Sequence, residues 1–177
     1  MFKRSLYSEL IKWKNRSGRK PLILRGARQV GKTTLIKEFS REFQNFIYFN
    51  LENVDFSKLF TKSFSETVRL IELNTSKKLN NSNESTLFFL DEIQACPNAI
   101  ELLRFFYEEM PELAIVCAGS LLELKLSKKE ISFPTGRVEY LFLAPVSFYE
   151  YLEATKKMIH LETIMGDPKS ITNEIHN

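Results

Sequence analysis

The sequence predicts an α/β fold in which a parallel β-sheet lies between layers of helices. Three observations indicate this class. An apolar strand at 22–24 runs into a glycine loop and then into an amphipathic segment. The segments 86–90 (TLFFL) and 113–118 (LAIVCA) are apolar without alternation, as strands buried on both faces are. Segments with helical periodicity separate the strands, which is typical of parallel sheets.

The elements can be assigned in order from local patterns. Residues 45–51 are rich in aromatic and β-branched side chains, as strands are, whereas apolar residues recur at helical spacing over 56–79. Pro97 marks a helix start, and Pro111 and Pro145 end a helix and a strand. The predicted strands are 22–24, 45–51, 86–90, 113–118 and 138–143. The predicted helices with defined bounds are 6–13, 100–110 and 121–126. A further helix follows the glycine loop and ends near Glu42, one or two helices lie within 56–79, and another begins at 148. The predicted loops are 16–20, 77–85 and 127–136.

The composition indicates a globular protein with little sign of a nucleic-acid surface. The chain has 177 residues, 44% hydrophobic and 27% charged, with a net charge of +3. This length fits one domain with room for a sizeable core. The 15 Phe and 6 Tyr are spread along every element, so we expect core packing and not base stacking. The one basic stretch is expected to be the solvated face of a helix; it comprises Lys3, Arg4, Lys12, Lys14, Arg16, Arg19 and Lys20.

Cysteine, histidine and hydropathy patterns exclude several classes of protein. Cys96 and Cys117 have no pairing framework or metal-like spacing, which fits a reducing cytoplasm. His160 and His176 are the only histidines, which excludes a histidine-rich metal site. No apolar run approaches the roughly 18 residues of a membrane helix. We therefore expect a cytoplasmic protein with no membrane partner.

The stretch 22–37, LILRGARQVGKTTLIK, contains the spacing Gly-x-x-x-x-Gly-Lys-Thr of a phosphate-binding loop. Glycines allow backbone N–H groups to surround phosphates without Cβ clashes, and the N-terminus of the following helix adds positive charge. Lys32 is predicted to contact the β- and γ-phosphates, and the Thr33 hydroxyl is predicted to ligate Mg²⁺. The alternative is an ordinary glycine turn. The predicted nucleotide-binding residues are Gly26, Ala27, Arg28, Gln29, Val30, Gly31, Lys32, Thr33 and Thr34.

Asp91 and Glu92 follow the third predicted strand. Because ligands of open α/β sheets bind beyond the carboxyl ends of the strands, Asp91 is predicted to hold Mg²⁺ together with Thr33. Glu92 is predicted to polarise an attacking water, as a hydrolase needs and a kinase does not. The alternative is that the two carboxylates cap the next helix. Asn50 and Glu52 are either supporting contacts of the site or surface loop residues.

Two further polar residues complete the predicted catalytic set. Ser120 follows the fourth strand and could sense the γ-phosphate, or could cap the helix 121–126. Arg137 precedes the fifth strand and could stabilise charge at a neighbouring subunit's nucleotide, or could pair with Glu139 or a helix terminus. The predicted catalytic residues are Glu92, Lys32, Ser120 and Arg137, and the predicted metal ligands are Thr33 and Asp91.

In combination, these motifs resemble those of a known family. RGARQVGKTTL, YFNLE, FFLDEIQ, AGSLLE and FPTGRVEYLFLAPVSFYEYL, in this order, are similar to prokaryotic AAA-type P-loop ATPases that normally carry a C-terminal domain of unknown function. The resemblance covers about residues 2–152. It implies a P-loop NTPase three-layer sandwich with strand order 5-1-4-3-2, ATP as the nucleotide, and Arg137 within a Gly-Arg signature. Leu121 stands where the family often has a second Ser or Thr.

The expected organisation is an N-terminal helix segment at 1–20, an ATPase domain at 21–152 and a tail at 153–177 that begins a truncated C-terminal region. Two functions remain open: an Mg²⁺-dependent ATPase, and an interaction or DNA-associated module that binds ATP with little turnover. A small-molecule kinase fits less well, because it leaves Glu92 without a role. ATP and ADP are the expected ligands. The sequence leaves open a homo-oligomer through Arg137 and a nucleic-acid or protein partner.

Overall fold

The computed structural model describes residues 4–79, 84–120, 122, 128 and 132–155. Its helices are α1 (Leu6–Asn15), α2 (Lys32–Phe39), α3 (Val54–Ser57), α4 (Phe64–Thr75), α5 (Pro97–Glu109) and α6 (Phe148–Ala154). Its strands are β1 (Leu22–Arg25), β2 (Asn45–Asn50), β3 (Thr86–Asp91), β4 (Ala114–Ala118) and β5 (Glu139–Phe142). Short 3₁₀ turns cover Ser40–Glu42 and Ile93–Ala95.

The five strands form one parallel sheet in the order β2-β3-β4-β1-β5. Read from the opposite edge this is the order 5-1-4-3-2, so the predicted fold class is confirmed. Leu24 of β1 pairs with Ala118 of β4, and Leu90 of β3 pairs with Cys117. The carboxyl ends of β1, β4 and β3 therefore lie side by side along one edge of the sheet.

The sheet is buried on both faces, which makes the fold a three-layer sandwich. On one face, Phe88 and Leu90 of β3 belong to an apolar cluster that includes residues of α4 and α5. On the other face, Leu87 and Phe89 belong to a second cluster with residues of α1 and α2. All six residues of β3 are buried, which explains why its sequence lacks the polar alternation of a half-exposed strand.

Two helices of the second cluster hold the start of the domain together. Helix α2 begins directly after Gly31, whose φ of 93° lies in the left-handed region that glycine accepts without strain. Its buried face includes Phe39, and the Trp13 ring of α1 lies 6.3 Å from the Phe39 ring. The Trp13 indole Nε1 donates to the Lys20 carbonyl at 2.9 Å, which fixes the turn into β1. Both ends of the glycine loop are therefore anchored in the core.

Some predicted boundaries differ from those of the structure. The apolar stretch 56–79 contains the end of α3 and all of α4 as separate helices, because Ser63 caps α4 by accepting from the Glu66 N–H. The predicted helix 121–126, parts of the loops 77–85 and 127–136, and the tail from 156 onward lie outside the described residues, apart from the single positions 122 and 128.

The surface carries a group of exposed apolar side chains at β5 and α6. These are Tyr140, Phe142, Val146, Phe148, Tyr149 and Tyr151. The expectation that the aromatic residues serve core packing is therefore wrong for this part of the chain. Over the ranges that the structure describes, no helix combines the length and the apolar character needed to cross a membrane.

Candidate functional site

Polar side chains from three neighbouring strands meet at the carboxyl edge of the sheet. The glycine loop follows β1, Asp91 ends β3, and Ser120 lies two residues after β4. Because β4 lies between β1 and β3, the parallel arrangement brings these three chain segments together. Sequence spacing could predict that each lies at a strand end, whereas their adjacency follows from the strand order.

The loop between β1 and α2 has the backbone of a phosphate cradle. Gly26, Gln29 and Gly31 have φ angles of 145°, 64° and 93°. A Cβ at Gly26 would meet the Leu143 carbonyl oxygen at 2.4 Å, so only glycine fits where the loop passes the end of β5. Successive amides turned inward by such angles form an anion-binding concavity. This backbone therefore suits phosphate groups, and the phosphate-binding loop stays a prediction.

Lys32 directs its ammonium group into this loop. The residue is 7% exposed, and its Nζ donates to the carbonyl oxygens of Gly26 and Ala27 at 2.9 and 2.7 Å. A buried ammonium needs such partners because desolvation is costly. The same position places a positive charge at the centre of the cradle, where phosphate oxygens could replace the two carbonyl contacts.

Thr33 and Asp91, the two predicted metal ligands, are in direct contact. The Thr33 hydroxyl donates to Asp91 Oδ2 at 2.7 Å, and the Tyr48 hydroxyl lies 3.5 Å from the same oxygen. Burial raises the pKa of Asp91; the Glu92 charge adds to this effect, and the Thr33 hydrogen bond opposes it. Among the described residues no group of three or more His, Cys, Asp or Glu could hold a metal by itself. A hydroxyl beside one carboxylate fits Mg²⁺ that completes its shell with phosphate oxygens and water.

Glu92 has a left-handed backbone, with φ 53° and ψ 44°. Such a conformation costs a non-glycine residue about 1 kcal/mol or more and often marks a functional position. The chain then forms a 3₁₀ turn before α5 begins at Pro97, and neither carboxylate makes a helix-capping hydrogen bond. The alternative assignment of Asp91 and Glu92 as helix caps is therefore wrong.

The Glu92 carboxylate is held by donors from two segments. Its Oε2 accepts from the Ser120 N–H at 2.8 Å, from the Ser120 hydroxyl at 3.1 Å and from Gln94 Nε2 at 2.5 Å. Gln94 is 4% exposed, and a Cβ at Gly119 would lie 1.9 Å from its Oε1. Sequence reasoning missed Gln94 and Gly119, because no spacing rule relates either one to Glu92.

The remaining predicted residues lie apart from these contacts. Asn50 Oδ1 accepts from the Glu52 N–H at 3.0 Å, a local turn contact. Arg137 Nε donates to Glu108 Oε1 at 2.8 Å. Of the two alternatives for Arg137, pairing with Glu139 is wrong, since Glu139 pairs with Arg16. Pairing at a helix terminus is confirmed, because Glu108 lies in the last turn of α5. Arg137 lies just before β5, at the amino ends of the parallel strands. The glycine loop follows the carboxyl end of β1, so Arg137 cannot reach the loop of its own subunit.

Arg4 is a further residue that sequence reasoning placed wrongly. The basic stretch predicts a solvated position for Arg4, but Arg4 is 9% exposed and its Nη1 donates to the Val30 carbonyl of the loop at 2.7 Å. Arg4 also lines a cavity of about 310 Å³ beside the loop, together with Gln29, Val30, Gly31, Thr34, Leu35, Glu38 and Val146. The predicted loop residues Ala27 and Arg28 are exposed beside it.

Comparison with known families identifies the domain. A family model described as an AAA domain matches residues 18–152. The chain belongs to this AAA-domain family. Together with the fold, this membership supports a nucleotide-binding, ATPase-like module.

This AAA domain resembles a solved structure of another protein. No curated protein matches the chain. The structure of PCH-2 from C. elegans is similar, with a TM-score of 0.53 and 15% sequence identity. The match covers 91% of this chain and 47% of the PCH-2 chain, so this chain spans about half of that protein's length. At this identity the likeness supports the fold alone.

Proposed function

We propose that this AAA domain binds ATP and hydrolyses it with Mg²⁺. The observation that carries the proposal is the direct contact of the Thr33 hydroxyl with Asp91 Oδ2 at 2.7 Å, beside Lys32 in the glycine loop. The hydroxyl and carboxylate oxygens are ligands of the kind that Mg²⁺ prefers, and the Lys32 ammonium group carries the positive charge that a triphosphate requires. Glu92 lies one residue beyond Asp91 and supplies a carboxylate at the same edge.

Each residue has a separate role in this proposal. The loop amides and Lys32 bind the phosphates and neutralise the charge that develops during phosphoryl transfer. Thr33 and Asp91 would hold Mg²⁺, which would supply positive charge to the phosphates. Glu92 orients a water molecule for attack, and Ser120 and Gln94 orient the Glu92 carboxylate through their hydrogen bonds. Through its contact with Glu92, Ser120 would also respond to the γ-phosphate.

Two substitutions test the assignment. Lys32→Ala is expected to weaken ATP binding at least tenfold, because it removes the cation that faces the phosphates. Glu92→Gln is expected to retain binding and to lower kcat about a hundredfold or more, because an amide cannot act as a base. Calorimetry with ATP and a phosphate-release assay measure the two effects. Hydrolysis at the wild-type rate by Glu92→Gln would show that the catalytic assignment is wrong.

A second function, a nucleotide-gated interaction module with little turnover, is favoured by one observation. Glu92 Oε2 already accepts from three donors, which leaves that oxygen little capacity to bind a water molecule. In this alternative ATP occupancy would control a contact with a protein or nucleic-acid partner. Tight ATP binding without phosphate release, also from the full-length protein, would support the alternative over the ATPase.

The proposed organisation follows the sequence boundaries. We propose an ATPase domain at 21–152, an N-terminal segment at 1–20 that packs on it through α1, and a tail at 153–177. Limited proteolysis of the full-length protein tests these limits. Cleavage within β5, in preference to residues 153–177, would contradict the boundary near residue 152.

A further inference from the structure

Arg4 is a buried arginine for which the proposed ATPase mechanism has no role. Its Nη1 donates to the Val30 carbonyl at 2.7 Å, and its Nη2 donates to the Ala144 carbonyl at 2.5 Å. Its Nε lies 3.3 Å from Glu150 Oε2, and the Arg4 and Glu150 side chains are only 9% and 8% exposed. One guanidinium thus joins the glycine loop, the segment after β5 and the first turn of α6.

The contact with Val30 controls the orientation of a loop amide. The Val30 carbonyl and the Gly31 N–H belong to one peptide unit, and no peptide bond in the described chain is cis. In a planar trans peptide the C=O and N–H groups point in opposite directions. Since the Val30 carbonyl is held toward the Arg4 guanidinium, the Gly31 N–H of the same peptide points away from Arg4.

This anchor matters because the loop can adopt other conformations. Gly31 has φ 93° and, as glycine, can rotate into several backbone regions with little steric cost. A flip of the Val30–Gly31 peptide would turn a carbonyl oxygen toward the phosphates and repel them. Loss of the charge-assisted hydrogen bond from Arg4 would therefore allow a state that binds phosphate poorly.

Glu150 holds the Arg4 side chain in place. Its Oε1 accepts from the Ser5 N–H at 2.8 Å and from the Ser5 hydroxyl at 3.0 Å, and its Oε2 accepts from the Ser147 N–H at 2.9 Å. These bonds satisfy the buried carboxylate and fix it beside the guanidinium. The loop, the N-terminal segment and α6 are consequently linked by one network of buried polar contacts.

We propose that Arg4 is a positioning residue for nucleotide phosphates: it fixes the Val30–Gly31 peptide so that the Gly31 N–H faces the cradle, and it ties this peptide to α6. The proposal rests on the proposed ATP-binding function. The Gly31 amide would contact the phosphates in both the ground state and the transition state, so its loss removes uniform binding. Removal of Arg4 is therefore expected to raise Kd and KM and to leave kcat unchanged.

The test replaces Arg4 with methionine, which keeps the length of the side chain but removes its donors. Arg4→Met is expected to raise the Kd for ATP about tenfold, as expected for one lost charge-assisted hydrogen bond. Inorganic tripolyphosphate has no base or ribose. The concentration of tripolyphosphate that displaces a fluorescent ATP analogue should be about tenfold higher for Arg4→Met than for the wild type. The value of kcat at saturating ATP should stay within about twofold of the wild type.

Two controls separate positioning from loss of stability or charge. Leu10→Ala removes a fully buried side chain of α1 and lowers the melting temperature, but it changes none of the polar groups that contact Arg4. Arg16→Met removes an N-terminal arginine that pairs with Glu139 on the surface. Both controls should keep wild-type affinity for ATP and tripolyphosphate. Equal weakening of binding in Leu10→Ala would assign the Arg4 effect to stability and overturn the proposal.

Nuclear magnetic resonance of the wild-type protein gives a measurement that does not depend on the folding of a variant. The guanidinium protons of Arg4 should exchange with water at least tenfold more slowly than those of Arg16, because Arg4 is buried and bonded. Rapid exchange, or normal tripolyphosphate binding by Arg4→Met, would overturn the role of Arg4 alone. Absence of ATP binding by the wild type would overturn the proposed function as well.

Discussion

Glu92 illustrates how single residues determine the candidate chemistry. Its position after β3 follows from the sequence, but the direction of its carboxylate depends on donors from Ser120 and Gln94. Gly119 provides the space for Gln94, since a Cβ there would lie 1.9 Å from Gln94 Oε1 and 2.8 Å from Leu122 Cγ. Gly119 is therefore a steric requirement of the Glu92 environment, although its backbone has no positive φ.

Gly119→Ala is predicted to lower kcat about tenfold while ATP binding is retained. The added methyl would displace the Gln94 amide, and Glu92 would lose one charge-assisted hydrogen bond. Overpacking should also reduce the free energy of unfolding by about 1–3 kcal/mol. Steady-state kinetics and denaturant unfolding measure the two effects.

Gly18→Ala is the matched control for this prediction. Gly18 has φ 67° and no atom within 4 Å of the added Cβ, so alanine introduces backbone strain of about 1 kcal/mol without a clash. Stability should fall while kcat stays at the wild-type value. An equal loss of kcat in both variants would argue against a steric role for Gly119.

At the scale of elements, α6 is stabilised by a carboxylate with an unusual pKa. Ser147 and Glu150 form a capping box at its first turn. Burial alone would raise the pKa of Glu150, but hydrogen bonds from the Ser147 and Ser5 N–H groups and the Ser5 hydroxyl, with the Arg4 charge, lower it from 4.5 to about 2. The charged form of Glu150 is therefore favoured in the folded protein.

The pH dependence of stability follows from this shift. A lowered folded-state pKa contributes stability that is present above pH 4.5 and lost as the pH falls toward 2. Glu150→Gln should thus be less stable than the wild type at pH 7, by about 1–3 kcal/mol for a charged hydrogen-bonded group. The difference should shrink between pH 4.5 and 2 in urea titrations.

Glu153→Gln serves as the control on the same helix, because Glu153 is exposed. Its stability should follow that of the wild type at each pH. A constant difference between Glu150→Gln and the wild type down to pH 2 would show that the Glu150 charge does not stabilise the fold.

At the scale of the whole molecule, the position of Arg137 suggests an action between subunits. Arg137 lies near the N-terminal end of the edge strand β5, away from the loop of its own chain. The side chains of Arg137 and Glu108 are both about 40% exposed. Such exposed ion pairs contribute about 1 kcal/mol or less to the free energy of unfolding. We therefore propose that Arg137 exchanges this partner for the nucleotide of a neighbouring subunit, because loss of the Glu108 pair costs little free energy.

A mixing experiment tests this proposal. Glu92→Gln subunits keep Arg137, and Arg137→Ala subunits keep Glu92; each should be nearly inactive alone but still bind ATP. If Arg137 acts in trans, mixing the two should restore a substantial fraction of hydrolysis, and wild-type activity per subunit should rise with protein concentration. A phosphate-release assay measures both.

Arg104→Ala is the control, since Arg104 is an exposed arginine on α5. This variant should hydrolyse ATP at the wild-type rate when assayed alone. Failure of the mixture to gain activity, together with a wild-type rate independent of concentration, would exclude the proposed action of Arg137 in trans.

The sequence by itself determined the elements that depend on local patterns. Apolar strands buried on both faces, the glycine loop and the carboxylates after β3 are each encoded within a few neighbouring residues, so the parallel α/β domain follows from them. The strand order came from the combination of motifs that resembles the family, and the structure confirms it. Local patterns also assigned Lys32, Thr33 and Asp91 to one sheet edge.

Only the tertiary structure decided which distant residues complete the site. Arg4 reaches Val30 and Ala144 across 26 and 140 positions, and Glu92 reaches Ser120 across 28. The sequence predicts a solvated face for Arg4, because a basic stretch has the same pattern whether one of its members is buried or exposed. The physical reason is that a buried charge is specified by the partners that surround it, and the fold brings these partners together from remote parts of the chain.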